Sequence, residues 1–257
     1  MKLEGSVAII TGSSSVTGIG AETAKVLAAR GCRVVVNYAS NKDGAEETAA
    51  LCRSAAGAEA IVAQGDVSND ADCRRLVQVA LDKWGRLDVL VNNAATTRPI
   101  RHTDLEALDA AEFNRIFATN VIGAFQMTRA AFKPLKASGD GAVVNISSIG
   151  AFRAGGSSMA YTASKAALNN LTVSFARIMA PEVRVNCVCP GGLLGNWTRK
   201  ILSDEGYERR VQEGLTRYPL RKSIMPVDVA ETAVWLAEGA GTMTGEAIRM
   251  DCGQHLL

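Results

Sequence analysis

A doubly wound α/β architecture, a parallel sheet of about seven strands with helices on both faces, follows from three features of this 257-residue chain. Short Val- and Ile-rich runs alternate with amphipathic or Ala-rich stretches at the spacing of βαβ units, which calls for a parallel sheet covered on both sides. The runs are apolar at successive positions rather than at every second one, as in strands buried on both faces. A Gly/Ser-rich turn separates the first run from the first helical stretch, a position that borders the crevice of an open α/β sheet.

The elements follow in order. Residues 7–11 (VAIIT) read as a buried strand, 12–20 as the Gly/Ser turn, and 21–30 as a helix with Ala, Val and Leu on one face. Residues 33–37 (RVVVN) form a second strand and 44–56 an Ala/Glu-rich helix. Residues 60–64 form a third strand, ended by Gly65-Asp66-Val67, and 70–84 an amphipathic helix. Residues 87–91 form a fourth strand running into Asn92-Asn93-Ala94-Ala95. The second half repeats the alternation: a long helix over 110–135, a strand over 142–146, and a helix through Tyr161 to about Met179. A sixth strand over 184–188 is stopped by Cys189-Pro190-Gly191-Gly192. Residues 193–223, of mixed polarity with Trp197, Tyr207 and Tyr218, read as a partly helical, mobile lid. A helix over 227–237 and a strand over 246–250 complete the chain, which is read as one domain over 1–257. Right-handed crossovers then put the site at the carboxyl ends of the strands.

Composition excludes several classes. A net charge of +2 with mixed signs gives no footprint for nucleic acid or an anionic membrane, and no apolar run reaches spanning length. Six scattered cysteines, no C-x-x-C and two histidines offer no metal cluster. They fit reduced thiols in a cytoplasmic protein. Residues 1–6 lead at once into the first strand, so no signal peptide is expected.

The chemistry concentrates in residues 141–167, GAVVNISSIGAFRAGGSSMAYTASKAA. A buried strand ends in Ser147 and Ser148. Tyr161 and Lys165, four apart on a helix, share one face about a turn apart. A neighbouring ammonium favours phenolate, so Tyr161 is expected to have a lowered pKa and to act as an acid/base. Ser148 is placed to hydrogen-bond an oxygen whose charge changes. Near the start, T-G-S-S-S-V-T-G-I-G (residues 11–20) stands between strand and helix, where glycines and a helix N-terminus hold a dinucleotide pyrophosphate. The second strand ends in Asn37 rather than the acidic residue that selects NAD. Tyr38, Ala39, Ser40, Asn41 and Lys42 offer hydroxyl, amide and one cation for a 2′-phosphate, so NADP(H) is favoured and NAD(H) remains possible. Asp66 is a candidate acceptor from the adenine amino group, or equally a turn residue.

These motifs stand in the order found in classical short-chain dehydrogenases/reductases, which the chain resembles over nearly its whole length. The resemblance rests on the Gly-rich turn, Asp66-Val67, Asn92-Asn93-Ala94, Asn120 in TNVIGAF, Ser148, Tyr161-x-x-x-Lys165, Pro190-Gly191 and the terminal TGEAIRMD. It implies a Rossmann-type sheet and an oxidoreductase that interconverts a ketone and a secondary alcohol with a nicotinamide cofactor. It also implies the roles. Tyr161 exchanges the proton; Lys165 holds the nicotinamide ribose and lowers the tyrosine pKa; Ser148 binds the substrate oxygen; Asn120, at a helix break, supports a water relay to Lys165. The cofactor would lie along Gly12, Ser14, Ser15, Gly18 and Ile19, then Asn37, Tyr38, Ala39 and Ser40, then Asp66 and Val67, then Asn93, Ala94 and Ala95. Pro190, Gly191 and Leu193 would face its nicotinamide side. The partners implied are a small carbonyl or alcohol substrate and further copies of the chain, as a dimer or tetramer packed through the long helices.

Three departures stand out. Five residues separate Gly12 from Gly18, where three are usual, with the insertion near Val16-Thr17. That spacing resembles the enoyl-reducing branch, which alters its Tyr/Lys spacing as this chain does not. Ala95 replaces a glycine, which is tolerable at negative φ. Gly195 stands where a threonine often contacts the carboxamide, with Thr198 as the candidate substitute. For the substrate, Lys133 and Lys136 make a thin basic patch for an acyl carrier protein. Arg98, Arg101 and His102 are either a solvated loop or a site for an anionic substrate. The alternatives are a 3-oxoacyl-acyl-carrier-protein reductase specifically, or a nucleotide-binding regulator without turnover.

Overall fold

The computed structural model describes residues 1–257, apart from the side chains of residues 55 and 56. Its centre is a seven-stranded sheet in the order β3-β2-β1-β4-β5-β6-β7. The strands are β1 (Val7–Ile10), β2 (Arg33–Tyr38), β3 (Ala60–Gln64), β4 (Val89–Asn92), β5 (Gly141–Ile146), β6 (Val183–Pro190) and β7 (Ala247–Met250). Every pairing is parallel, so all seven carboxyl ends lie along one edge. The order reverses between β1 and β4, which opens a crevice there. Two apolar clusters fill the two faces: Ile10, Val34 and Val36 pack outward on one side, Ile9, Val35 and Leu90 on the other. Successive strand residues point to opposite faces, so unbroken apolar runs are what two covered faces require.

The helices begin and end where capping chemistry allows. They are α1 (Ile19–Ala29), α2 (Lys42–Ala56), α3 (Asp70–Trp84), α4 (Ala110–Phe117), α5 (Ala124–Ala137), α6 (Met159–Met179), α7 (Asn196–Ile201), α8 (Asp204–Thr216) and α9 (Pro226–Glu238). Asn69 caps α3 by accepting from the Ala71 amide, and Gly85, at φ 69°, closes it. Two expectations are corrected. The single helix over 110–135 is α4 and α5 joined by a π-type turn, Ala118–Gly123. The helix after the Gly/Ser turn starts at Ile19 rather than residue 21, so Gly20 is helical.

Below the site a buried polar ladder ties the middle of the sheet to α6. Asn92 and Asn145 are register partners. The Asn92 amide donates to Asn145 Oδ1 (2.8 Å), and Asn145 donates to Thr172 Oγ1 (2.9 Å). These bonds between buried side chains favour one arrangement of the elements, although Asn92 Oδ1 is buried without a partner, and so set the strand that leads to Ser148 against the helix that carries Tyr161.

Candidate active site

One crevice of about 970 Å³ runs along the carboxyl ends of the strands, at the upper end of the range usual for ligand sites, roughly 300–1,000 Å³. The segments that border it are built from local rules. Gly12 turns the chain out of β1 at φ +62°, and a Cβ there would lie 2.8 Å from Ala94 Cα, so only glycine fits. Asn93 locks this turn to β4 by donating to the Thr11 and Gly12 carbonyls (2.8 and 2.9 Å). Thr11 Oγ1 accepts in return from the Asn93 and Ala94 amides, both at 3.0 Å.

The lengthened turn is absorbed by new contacts. Asn41 donates to the Ser14 carbonyl (2.8 Å) and Asn196 to Thr17 Oγ1 (2.7 Å), so the extra residues reach towards α2 and α7. The N-terminus of α1 has no side-chain cap, whereas α2, α3, α4, α6 and α8 are capped by Asn41, Asn69, Asp109, Ser158 and Ser203. Ser14, Ser15, Gly18, Ile19 and Gly20 line the crevice at this uncapped end. Free amides and the positive end of the helix dipole facing an open glycine-lined cleft suit a pyrophosphate.

At the adenosine end Ala39, Ser40, Asp66 and Val67 line the crevice. Asp66 Oδ1 accepts from the Ser68 amide (2.9 Å) and hydroxyl (2.8 Å), which leaves Oδ2 facing outward. Two residues differ from expectation. Tyr38 is not in the lining; it packs in the apolar core. Asn37 reaches the crevice but its side chain is committed, with Oδ1 accepting from Gly12 N (3.0 Å) and Nδ2 donating to Gly65 O (3.0 Å). At 1% exposure it is a brace between three strands rather than a free ribose ligand. Lys42 begins α2 outside the lining.

The middle of the crevice holds Ser148, Tyr161 and Lys165. Ser148 starts a 3₁₀ turn and accepts from Gly150 N (3.1 Å). Ser147 also borders the crevice, but its hydroxyl is committed to the Lys165 carbonyl (3.2 Å). Ser158 caps α6 by accepting from the Tyr161 amide (3.3 Å), which puts Tyr161 in the first turn and Lys165 one turn further on. Lys165, 2% exposed, donates from Nζ to the Ile146 carbonyl at 2.8 Å and lies 5.5 Å from the Tyr161 ring centre. The expected lowering of the tyrosine pKa is not what this arrangement gives. Burial pushes Tyr161 up to about 12, opposed by its hydrogen bond with Ser148. Burial also pulls Lys165 down to about 8, opposed by the nearby Cys187 and Cys189 sulfurs.

Asn120 sits in the π-type turn, as a helix break requires, and is 1% exposed. Its side chain is satisfied internally: Oδ1 accepts from Thr96 N (2.8 Å), and Nδ2 donates to Thr96 O and Ser164 Oγ, both 3.0 Å. It clamps the loop after β4 to α6 and is absent from the crevice wall. Ala94 and Ala95 line the wall, and Ala95 is not among the positive-φ residues, so its methyl group is accommodated. Thr198 lines the wall too, but its hydroxyl donates to Leu193 O (2.6 Å).

Pro190, Gly191 and Leu193 leave β6 into the segment that covers the far wall, contributing Asn196, Trp197, Lys200, Ile201, Leu202 and Arg210. Its two ends are pinned together where Leu194 N donates to Ile224 O (2.8 Å). Sequence reasoning missed Lys200 and Arg210, because no spacing rule ties them to the strands. It also missed Thr96, whose role is carried by its backbone.

A glycine-turned, uncapped helix over a parallel-sheet switch point, beside a Ser-Tyr-Lys set, defines a nucleotide-dependent oxidoreductase of the doubly wound class. Residues 12–255 match the family model described as enoyl-(acyl carrier protein) reductase. The chain is 43% identical over 254 residues to a Streptomyces violaceoruber protein assigned by name as ketoacyl reductase 2 of the granaticin polyketide synthase, covering 99% of this chain and 98% of that one. It is 34% identical over 254 residues to the 3-oxoacyl-[acyl-carrier-protein] reductase of Synechocystis sp., covering 98% and 97%. The crystal structure of levodione reductase superposes with a TM-score of 0.90 at 27% identity, covering 98% of each chain. The chain belongs to the short-chain dehydrogenase/reductase family. It is an NAD(P)(H)-dependent oxidoreductase that interconverts a ketone and a secondary alcohol.

Proposed function

We propose that the chain is an NADP(H)-preferring ketone reductase in which Tyr161 is the acid/base, Ser148 binds the substrate oxygen and Lys165 holds the nicotinamide ribose. The observation that carries this reading is the uncapped α1 N-terminus sharing one crevice with Ser148, Tyr161 and Lys165. When bound, the nicotinamide supplies or accepts the hydride. The chain's own residues hold the carbonyl oxygen at Ser148 Oγ and deliver the proton from Tyr161 Oη. Lys165 would hold the nicotinamide ribose by its ammonium. Asn120 positions the loop after β4, and its place in the π-type turn supports the water relay to Lys165. Residues 193–223 act as a lid that opens about the Leu194–Ile224 pin.

The preference for NADP(H) rests on the absence of an acidic residue after β2 and on Ser40 in the lining; the outward position of Lys42 makes the margin small, so NAD(H) is also accepted. The test is a parallel titration of the purified protein with NADPH and NADH, followed by nucleotide fluorescence, then a carbonyl panel. A lower Kd for NADPH and oxidation of NADPH by at least one ketone are expected. Tighter NADH binding overturns the cofactor choice, and no oxidation with either nucleotide overturns the role given to Tyr161.

The named relatives raise a 3-oxoacyl thioester as one substrate class. The patch for a carrier protein is thinner than the sequence implied, because Lys136 pairs with Glu182 at 3.0 Å. Phe113, Ile122 and Phe125 are exposed on the α4–α5 region, and Val173 and Ile178 on α6. Exposed apolar faces of this kind favour a dimer or tetramer, and light scattering is expected to give a mass two or four times 27.1 kDa. A cytoplasmic location fits six cysteines that are all free thiols.

A further inference from the structure

The residues opposite the cofactor turn say something about the substrate. Resting on the reductase reading above, we infer that the ketone carries an anionic group, a carboxylate or a phosphate, received by Arg101 and Arg210. The lining holds four cations, Arg101, Lys165, Lys200 and Arg210, against one carboxylate, Asp66. Sheet order separates them: Asp66 follows β3, beyond β1 and β2, while Arg101 follows β4 and Arg210 follows β6. Strand β5, which leads into Ser148 two residues past its end, lies between β4 and β6. The two arginines therefore come from the two segments that flank the reacting centre, on the side away from the adenosine end.

The other two cations are placed differently. Lys165 is bonded to Ile146 O. Lys200 shares its short helix with Asn196, which donates to Thr17 Oγ1 of the turn after β1 (2.7 Å). Arg101 has no ion pair among the described residues, while its neighbour Arg98 donates to Ala107 O (2.5 Å) and Arg115 pairs with Glu112 (2.7 Å). Arg210 meets one carboxylate, Glu213, at 3.8 Å, beyond hydrogen-bond length.

Beside Arg101 in the chain, His102, which also lines the crevice, has Nε2 buried without a hydrogen bond, and Tyr218 Oη lies against the Arg210 guanidinium just outside the lining. A Cβ at Gly192 would lie 2.4 Å from Tyr218 Oη and 3.1 Å from Arg210 Nη1, so that glycine makes the room in which these two ends sit. Buried polar atoms are normally paired. An anion with several acceptor oxygens would pair them, and guanidinium groups bind carboxylate or phosphate by two parallel hydrogen bonds. Ile100, Trp197, Ile201 and Leu202 supply apolar wall in the same crevice, which favours a short carbon skeleton carrying both ketone and anion.

The test compares a 3-oxo acid with its methyl ester, and a 3-oxobutanoyl thioester of pantetheine with that of its 4′-phosphate. In at least one pair the anionic member is expected to have a kcat/KM about tenfold higher or more, the ratio that 1.4 kcal/mol of differential binding gives. The pair that shows it tells carboxylate from phosphate. The ratio is expected to fall towards one in Arg101→Met and Arg210→Met, and to be partly restored in Arg101→Lys. Thermal melts show whether each variant is folded. No preference in either pair, or a preference that both Met variants retain, overturns the inference. If no member of either pair is reduced, the reductase reading fails separately. Calorimetric titration of the same pairs with NADPH present still decides the anion: tighter binding of the charged member, lost in the Met variants, supports it, and equal or absent binding overturns it.

Discussion

Replacement of Tyr161 by Phe is expected to lower kcat about 10²–10⁴-fold, the usual contribution of a positioned acid or base, with little change in the Kd for NADPH. The variant keeps the ring and therefore the packing of the first turn of α6. It removes the hydroxyl that bonds with Ser148, on the ring whose centre Lys165 Nζ approaches to 5.5 Å. Burial holds that hydroxyl's pKa up at about 12, so at neutral pH the group is a phenol, the form that donates a proton in carbonyl reduction. Ser148→Ala removes a hydrogen bond but no proton donor, and a smaller loss is expected. Stopped-flow oxidation of NADPH, with binding measured separately by fluorescence, separates the two effects. Turnover by Tyr161→Phe close to that of the native chain would show that the proton comes from elsewhere.

The strands and their order along the chain were legible because most are short runs dominated by apolar residues, the pattern that burial on two faces requires; β7, with Arg249 in it, is the least buried of them. The placing of Tyr161 and Lys165 on one face of α6 was legible because a four-residue step on a helix defines one face whatever surrounds it. Three things were not. The break at residues 118–123 lies in a stretch whose composition suits a continuous helix; what stabilises the π-type turn is the bonding of Asn120 to Thr96 and Ser164, contacts over 24 and 44 residues. The commitment of Asn37 to Gly12 and Gly65 is likewise tertiary. The direction of the Tyr161 shift depends on how much protein surrounds the phenol, and spacing alone carries the ammonium's effect without that larger opposing one.

Replacement of Lys165 by Met is expected to abolish turnover and yet raise the melting temperature by about 2–8 °C at pH 7. The argument starts from burial. The ammonium lies almost wholly out of water with one carbonyl, Ile146 O, as its hydrogen-bond partner, and its pKa falls from 10.5 to about 8. Below pH 8 both folded and unfolded chains carry the proton, so the folded state bears the full cost of a desolvated charge. Each pKa unit corresponds to about 1.4 kcal/mol. The Met side chain has no such cost but leaves the Ile146 carbonyl without a donor, which costs about 1–3 kcal/mol. A net gain of about 1–2 kcal/mol remains, and a chain of this size gains about 2–4 °C per kcal/mol. Between pH 8 and 10.5 the folded native chain binds fewer protons than the unfolded one, so its stability rises with pH across that window and the advantage of the variant shrinks. Tyr161 acts in the opposite sense above pH 10, but it is present in both proteins and its contribution falls out of the difference. Paired thermal melts at pH 7 and pH 9.5 read this directly. A variant less stable than the native chain at pH 7, or a difference that does not change with pH, would mean that Lys165 is held by more than the Ile146 carbonyl. The expected result would make the site a place where charge is kept against the preference of the fold, in return for the turnover that the variant loses.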